Sequence, residues 1–131
     1  MSEESKPSKA KVIVTWVLSG LIALTMLMAG VSKLRGAPEQ VEGFAKMGYP
    51  LWFLYVTGAM EVVGAILLLI PQTAALGVLL LGATMVGAVV SLLRLGDMAH
   101  APIPFVFLVV IGVIGWLRAD QFRKLLKLVG K

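Results

Sequence analysis

Residues 51–70 read LWFLYVTGAMEVVGAILLLI, twenty positions in which Glu61 is the only charged residue. A helix needs about 20 predominantly apolar residues to cross the roughly 30 Å hydrocarbon core of a bilayer. The run is continuously apolar and does not alternate with a period of two, as the strands of a membrane barrel do. This stretch therefore predicts a transmembrane helix that carries a single carboxyl group.

Three further apolar runs share this character: 12–34, 73–94 and 103–117. Their only charged residues, Lys33 and Arg94, lie at the ends of runs. Pro102 and Pro104 stand where the last helix begins, and proline is tolerated in a first turn because the amides there have no partner within the helix. The sequence predicts an all-α fold, an integral membrane bundle of four helices.

The overall composition supports a membrane location and excludes several kinds of chemistry. Of the 131 residues, 59% are hydrophobic and 15% are charged, and the mean hydropathy is +0.94. Soluble domains carry about 25% charged residues, so an ordinary soluble enzyme is excluded. The chain has no cysteine and one histidine, so we expect no thiol chemistry, iron–sulfur cluster or haem. No metal-ligand motif is visible, and we expect no metal site.

The connections and tails carry most of the charge. The segment 35–50 is long enough for a short interfacial helix between the first two spans. We expect residues 1–11 and 119–131 to flank a transmembrane domain at 12–118. The second tail is predicted to form a basic amphipathic helix on anionic headgroups. The apolar stripe of that helix consists of Phe122, Leu125, Leu126 and Val129.

Basic residues are distributed unequally between the two sides of the predicted bundle. One side, which holds both termini, carries eight: Lys6, Lys9, Lys11, Arg118, Arg123, Lys124, Lys127 and Lys131. The other side carries four: Lys33, Arg35, Lys46 and Arg94. The positive-inside rule therefore predicts that both termini are cytoplasmic. The net charge of +5 indicates a membrane surface as the partner and not nucleic acid, because no basic face is free of the bilayer.

Glu61 is the leading candidate for a functional residue. It lies ten residues into its helix, or about 15 Å deep at 1.5 Å per residue. A charge at that depth costs roughly 2.5–3.5 kcal/mol, so the carboxyl group must face the bundle interior, find a cation or take up a proton. Gly58, Gly64 and Ala65 share its helix face and allow a neighbouring helix to come close. A purely structural alternative is hydrogen bonding across the bundle, with these candidate partners: Thr25, Thr84 and Ser91.

A second polar set is predicted at the non-cytoplasmic rim: Lys33, Arg35, Arg94, Asp97 and His100. Lys33 and Arg94 end their helices, where a cation complements the helix dipole or extends to the interface. Either side chain is also long enough to reach inward toward Glu61. His100 is of the residue type that exchanges protons near neutral pH, although a single loop histidine is more often only solvated. The candidate ligand-binding set is therefore Glu61, Lys33, Arg94, His100, Gly58 and Asp97.

Short motifs follow one another in a fixed order along the chain: Gly30-Val31-Ser32-Lys33-Leu34, Gly48-Tyr49-Pro50, Gly58-x-x-Glu61-x-x-Gly64-Ala65, Leu67-Leu68-Leu69-Ile70-Pro71, Gly96-Asp97 and Ala101-Pro102. In order and spacing they resemble the DoxX-like family of small bacterial membrane proteins, over about residues 12–118. The resemblance implies a compact four-helix bundle in the bacterial cytoplasmic (inner) membrane. The family's namesake is a subunit of a thiosulfate:quinone oxidoreductase, and other relatives are associated with redox or oxidative-stress complexes. Fold transfers across such a family better than activity does.

Two functions follow as hypotheses, and the first is preferred to the second. In the first, the bundle binds a lipophilic small molecule, such as a quinone, near Glu61. In the second, the chain is a non-catalytic accessory or scaffold subunit of a membrane redox or stress-response complex. A third hypothesis, small-solute transport, would need several copies of the chain. A cavity beside Glu61 that opens to lipid would favour the first, whereas tight packing there with an apolar exposed groove would favour the second.

The expected partners follow from these hypotheses. They are the lipid bilayer, a lipophilic ligand, and redox-complex subunits or further copies of the chain. We do not expect catalysis from the isolated chain. If the chain takes part in a reaction, the resemblance implies a subunit of a quinone-linked oxidoreductase.

Overall fold

A computed structural model describes residues 9–121, 123 and 127. Five α-helices have both ends within these residues: α1 (Lys9–Leu34), α2 (Pro38–Lys46), α3 (Leu51–Leu69), α4 (Ala74–Leu95) and α5 (Pro102–Leu117). A 3₁₀ turn at Pro71–Thr73 connects α3 to α4. The described residues contain no strand, so the predicted all-α fold is confirmed.

Three helical segments are long and apolar enough to cross a membrane: Lys9–Leu34, Leu51–Leu69 and Pro71–Leu95. The fourth apolar helix, α5, is shorter, with 16 residues. Pro102 and Pro104 lie in its first turn, where their missing amide hydrogens interrupt no intrahelical bond. The result is a membrane bundle in which the last helix differs in length from the other three.

The four apolar helices form a closed ring, in which α1 packs on α3, α3 on α4, α4 on α5, and α5 on α1. Apolar side chains from every helix of the ring meet in the centre: Ile22, Met26, Leu68, Leu81, Ile111 and Ile114. The outer surface is also apolar, with large exposed side chains such as Leu21, Met28 and Val106. Such a surface is compatible with lipid around the bundle.

The short helix α2 occupies the connection in which a helix was expected. It has no buried residue, and Gly48 follows it with a φ of +82°. In the second tail, Asp120, Gln121, Arg123 and Lys127 are helical. The apolar stripe predicted for that tail, at Phe122, Leu125, Leu126 and Val129, lies outside the described residues, as does Lys124.

Candidate functional site

Lys33 and Glu61 form an ion pair inside the bundle. The Nζ atom of Lys33 lies 2.8 Å from Oε1 of Glu61, and the two side chains are 11% and 3% exposed. Oε1 has no partner at an angle suited to a hydrogen bond, so the contact is electrostatic and not an aligned hydrogen bond. Two opposite charges thereby neutralise each other between α1 and α3.

Helix geometry explains why these two side chains meet. Side chains on an α-helix lean toward the N-terminus of their own helix. Lys33 is in the last turn of α1, so its side chain leans from the rim into the bundle. Glu61 is on α3, which begins at that rim, so its side chain leans outward. The side chains of Lys33 and Glu61 therefore approach each other although their Cα atoms lie at different depths.

Glycines bring α1 and α3 close together at the ion pair. A Cβ atom placed on Gly30 would lie 2.7 Å from the carbonyl oxygen of Gly58. A Cβ atom placed on Gly58 would lie 2.8 Å from Cβ of Lys33. Both distances are shorter than real Cβ contacts, so glycine is required at both positions for this approach. The pair is packed tightly along this helix–helix contact.

The hydroxyl groups considered as alternative partners of Glu61 form other hydrogen bonds. The Thr25 hydroxyl donates to the carbonyl oxygen of Leu21, and that of Thr84 donates to the carbonyl oxygen of Leu81. The Ser91 hydroxyl is 2.5 Å from that of Tyr49. Lys33 is thus the polar group placed against Glu61.

Arg94 lies apart from this pair, at the rim. It is exposed and lines a cavity of about 80 Å³ together with Met47, Tyr49, Ser91 and Leu95. Sequence reasoning missed Tyr49 and Ser91 as a pair because they are 42 positions apart. The available signals were a glycine before Tyr49 and a hydroxyl group near the end of an apolar helix.

Asp97 and His100 interact with each other in the connection between α4 and α5. Nδ1 of His100 is 2.8 Å from Oδ2 of Asp97, and the histidine side chain is 68% exposed. Hydrogen bonding to His100 lowers the pKa of Asp97 below its ordinary value, against a smaller opposing effect of desolvation. This pair is local to one turn and faces water.

The six candidate residues therefore occupy three places. Gly58, Lys33 and Glu61 lie together within the bundle, Arg94 lines the rim cavity, and Asp97 and His100 pair in the loop. Within the described residues, no group of three or more His, Cys, Asp and Glu side chains is placed to hold a metal ion.

A polar contact at the opposite end of the bundle was also missed by sequence reasoning. Oε1 of Gln121 accepts a hydrogen bond from the Ala75 amide at 2.5 Å, and its Nε2 donates to the carbonyl oxygen of Pro71. The Arg118 guanidinium lies 5.2 Å from the ring centre of Trp16. These contacts hold the segment after α5 against the α3–α4 turn and α1.

Comparison with known proteins assigns the family. The model of the DoxX-like family matches residues 17–114. The chain belongs to the DoxX-like family. All six candidate residues of this DoxX-like protein lie within the matched range.

One similar protein is the uncharacterized protein YdgD of Bacillus subtilis (strain 168), which is 47% identical over 45 residues. The match covers 34% of this chain and 40% of YdgD, so the chain spans well under half the length of that relative. No solved structure matches the chain.

Proposed function

We propose that this DoxX-like protein is a non-catalytic accessory subunit of a membrane redox or stress-response complex, and that the Lys33–Glu61 pair has a structural role in the packing of its helices. One observation supports a structural role for the pair: the buried carboxylate is already neutralised by a lysine, within a glycine-packed contact between α1 and α3. We infer that the pair helps to set which helices pack together and in which register. In this arrangement each charge is already compensated by the other.

The second candidate is the binding of a lipophilic molecule such as a quinone at the pair. Two charges are costly to enclose in a bilayer, and polar groups in membrane spans commonly mark functional sites. The ammonium group of Lys33 can donate to a carbonyl oxygen, and the carboxylate of Glu61 can accept from a hydroxyl group. The slight exposure of Lys33 favours this candidate, whereas the tight glycine contact favours the accessory role.

Mass spectrometry of lipophilic molecules held in native nanodiscs distinguishes the two functions. The variants are Glu61→Gln and the apolar double variant Lys33→Met with Glu61→Leu, which removes both charges without leaving one unpaired. For the accessory role we expect the double variant to hold the same molecules as wild type. A quinone or other specific molecule held by wild type and lost from a stably folded double variant would replace this proposal with ligand binding.

An accessory role also requires a partner protein in the membrane. We expect in-cell cross-linking from Cys introduced at exposed Met98 to yield a stoichiometric complex with a different polypeptide. A chain that remains a monomer or self-associates only, with cross-linkers placed at both ends of the bundle, would contradict the accessory role.

The proposed orientation places both termini in the cytoplasm of a bacterial cell, with α2 and the α4–α5 connection on the outer side of the cytoplasmic membrane. Because the chain lacks cysteine, single cysteines report each side without background. In spheroplasts, an impermeant maleimide should label Met98→Cys at once and Gln72→Cys only after permeabilisation; both positions are exposed. The reverse labelling order would overturn this orientation.

A further inference from the structure

The cavity at the rim has the composition of a receptor for an oxygen anion. Its polar lining consists of Tyr49, Ser91 and Arg94, and Met47 and Leu95 complete it. No lining residue is acidic. At about 80 Å³, the cavity exceeds the roughly 10–15 Å³ that a single water needs. It has room for a small polar group.

The connection between α2 and α3 and the last part of α4 form this cavity. After α2, Gly48 adopts a left-handed φ of +82°, a conformation that glycine allows without strain. This turn sets Tyr49 against Ser91 in the last part of α4, with hydroxyl oxygens 2.5 Å apart. A ring contact of 5.0 Å between Tyr49 and Phe53 supports the tyrosine from α3. The hydroxyl pair is therefore held in place from two sides.

The hydroxyl pair has donor capacity that its own hydrogen bond does not use. Each hydroxyl carries one hydrogen and can also accept. The bond between Tyr49 and Ser91 uses only one of the two hydrogens, whichever residue donates it. The other hydrogen remains available to an acceptor.

Within the part of the chain that the structure describes, the Arg94 guanidinium is also available to an acceptor. None of the ion pairs among the described residues includes it. It is not needed to satisfy the end of α4, because the Gly96 amide donates to the carbonyl oxygen of Leu93 and the Asp97 amide to that of Leu92. A guanidinium presents a rigid fork of N–H donors that matches phosphate or carboxylate oxygens.

The side chains around the cavity indicate which kind of molecule would carry such an anion. The cavity is level with the rim, where α4 ends and α3 begins, and the neighbouring side chains of Leu51, Trp52 and Leu95 are large, apolar and exposed. Tryptophan at this level is typical of the membrane–water boundary. A molecule with a phosphate group at the rim and acyl chains beside the bundle fits both features.

We propose that the Tyr49–Ser91–Arg94 cavity binds a phosphate group, with Arg94 as the charged donor and the hydroxyl pair as the neutral one. The group belongs to a membrane phospholipid or to free inorganic phosphate. This site is separate from the Lys33–Glu61 pair and does not depend on the accessory function.

The test counts phospholipids that remain on the protein when it is released from phosphatidylcholine–phosphatidylglycerol nanodiscs into a native mass spectrometer. We expect about one retained phospholipid per chain in wild type and at least a tenfold loss of retention in Arg94→Gln. Arg94→Lys keeps the positive charge but loses the forked N–H donors of the guanidinium. Its phospholipid retention should therefore lie between those of wild type and Arg94→Gln. Arg35→Gln is the matched control, because it removes the same charge at the same end of the bundle. Arg35 is exposed and does not line the cavity.

A second arm separates the two sources of phosphate. Binding of inorganic phosphate to the detergent-solubilised protein is followed by ³¹P NMR, again with Arg94→Gln and Arg35→Gln. Binding in this arm without retained phospholipid assigns the site to free phosphate, and retained phospholipid assigns it to the headgroup. If Arg94→Gln and Arg35→Gln behave alike in both arms, the cavity is not a phosphate site.

Discussion

At the scale of single residues, helix register selects the partner of Glu61. The sequence shows that a carboxyl group at this depth must face the bundle interior, find a cation or take up a proton, and it offers Lys33 and Arg94 as possible cations. The structure brings Lys33 against Gly58, one turn from Glu61. On the other side of α3, the contact between Gly64 and Leu81 sets Arg94 level with residue 51, about 15 Å along the helix from Glu61. Such registers depend on packing between distant segments, which is why the sequence left the choice open.

Gly58 permits the close contact of α1 with α3, and its replacement tests that contact. In Gly58→Ala the new Cβ would meet Lys33 Cβ at 2.8 Å and the carbonyl oxygen of Gly30 at 2.9 Å. Forcing such an overlap typically costs 1–3 kcal/mol. We expect thermal unfolding in nanodiscs to show a destabilisation of about that size. Gly87→Ala is the control, because nothing lies within 4 Å of its Cβ, and equal effects of the two variants would refute the steric explanation.

The Asp97–His100 pair gives a prediction for pH dependence. Because His100 lowers the pKa of Asp97, ionised Asp97 supports the loop above its ordinary pKa, and this support is lost as the pH falls through the lowered value. In His100→Gln, we expect a carboxyl ¹³C NMR titration to show the pKa of Asp97 moving up toward its ordinary value. An unchanged midpoint would show that His100 does not stabilise the carboxylate.

At the scale of secondary structure, apolar runs and breakers were sufficient to predict the helices. Residues 51–70 were predicted as a span and form α3 at Leu51–Leu69, because the run has no internal breaker and Pro71 follows it. The Tyr49–Ser91 cavity could not be predicted from the sequence, since it depends on a left-handed turn at Gly48 that brings together two segments far apart in sequence. Gln121 was missed for the same reason, because its partners lie 46 and 50 positions away.

Gln121 connects the segment after α5 to the start of α4. Gln121→Ala removes a hydrogen bond to the Ala75 amide and another to the carbonyl oxygen of Pro71. A typical hydrogen bond contributes about 0.5–1.5 kcal/mol, so we expect a loss of that order per bond. Hydrogen exchange at Ala75 should accelerate in this variant.

Asp120→Ala is the matched control for Gln121→Ala. The Asp120 side chain is 76% exposed and pairs with Arg123 at the surface, where such pairs contribute little. If exchange at Ala75 is as fast in Asp120→Ala as in Gln121→Ala, the amide is protected by something other than Gln121.

At the scale of the whole molecule, the bundle has helices of unequal length. α5 has 16 residues, or about 24 Å at 1.5 Å per residue, which is less than the roughly 30 Å core of an average bilayer. A short span is accommodated by local thinning of the bilayer, at a modest cost for each ångström of mismatch. The closed ring of helices prevents α5 from adjusting independently of its neighbours.

This mismatch predicts that bilayer thickness affects stability. We expect unfolding temperatures to be higher in nanodiscs of phosphatidylcholine with 14-carbon chains than with 22-carbon monounsaturated chains. A variant with four leucines inserted after Val113 should lose this preference or reverse it. Equal stability of the wild-type protein in both lipids would show that α5 is not mismatched.

Lys33 and Glu61 neutralise each other inside the bundle as one coupled pair, and a double-mutant cycle tests this coupling most directly. Unfolding in nanodiscs is measured for Lys33→Met, Glu61→Leu and the double variant. Removing one partner of a buried pair costs about 3–5 kcal/mol, whereas replacing both by apolar residues is often neutral. We predict two strongly destabilised single variants and a double variant close to wild type. Additive losses in the double variant would contradict the claim and show that the two charges act independently.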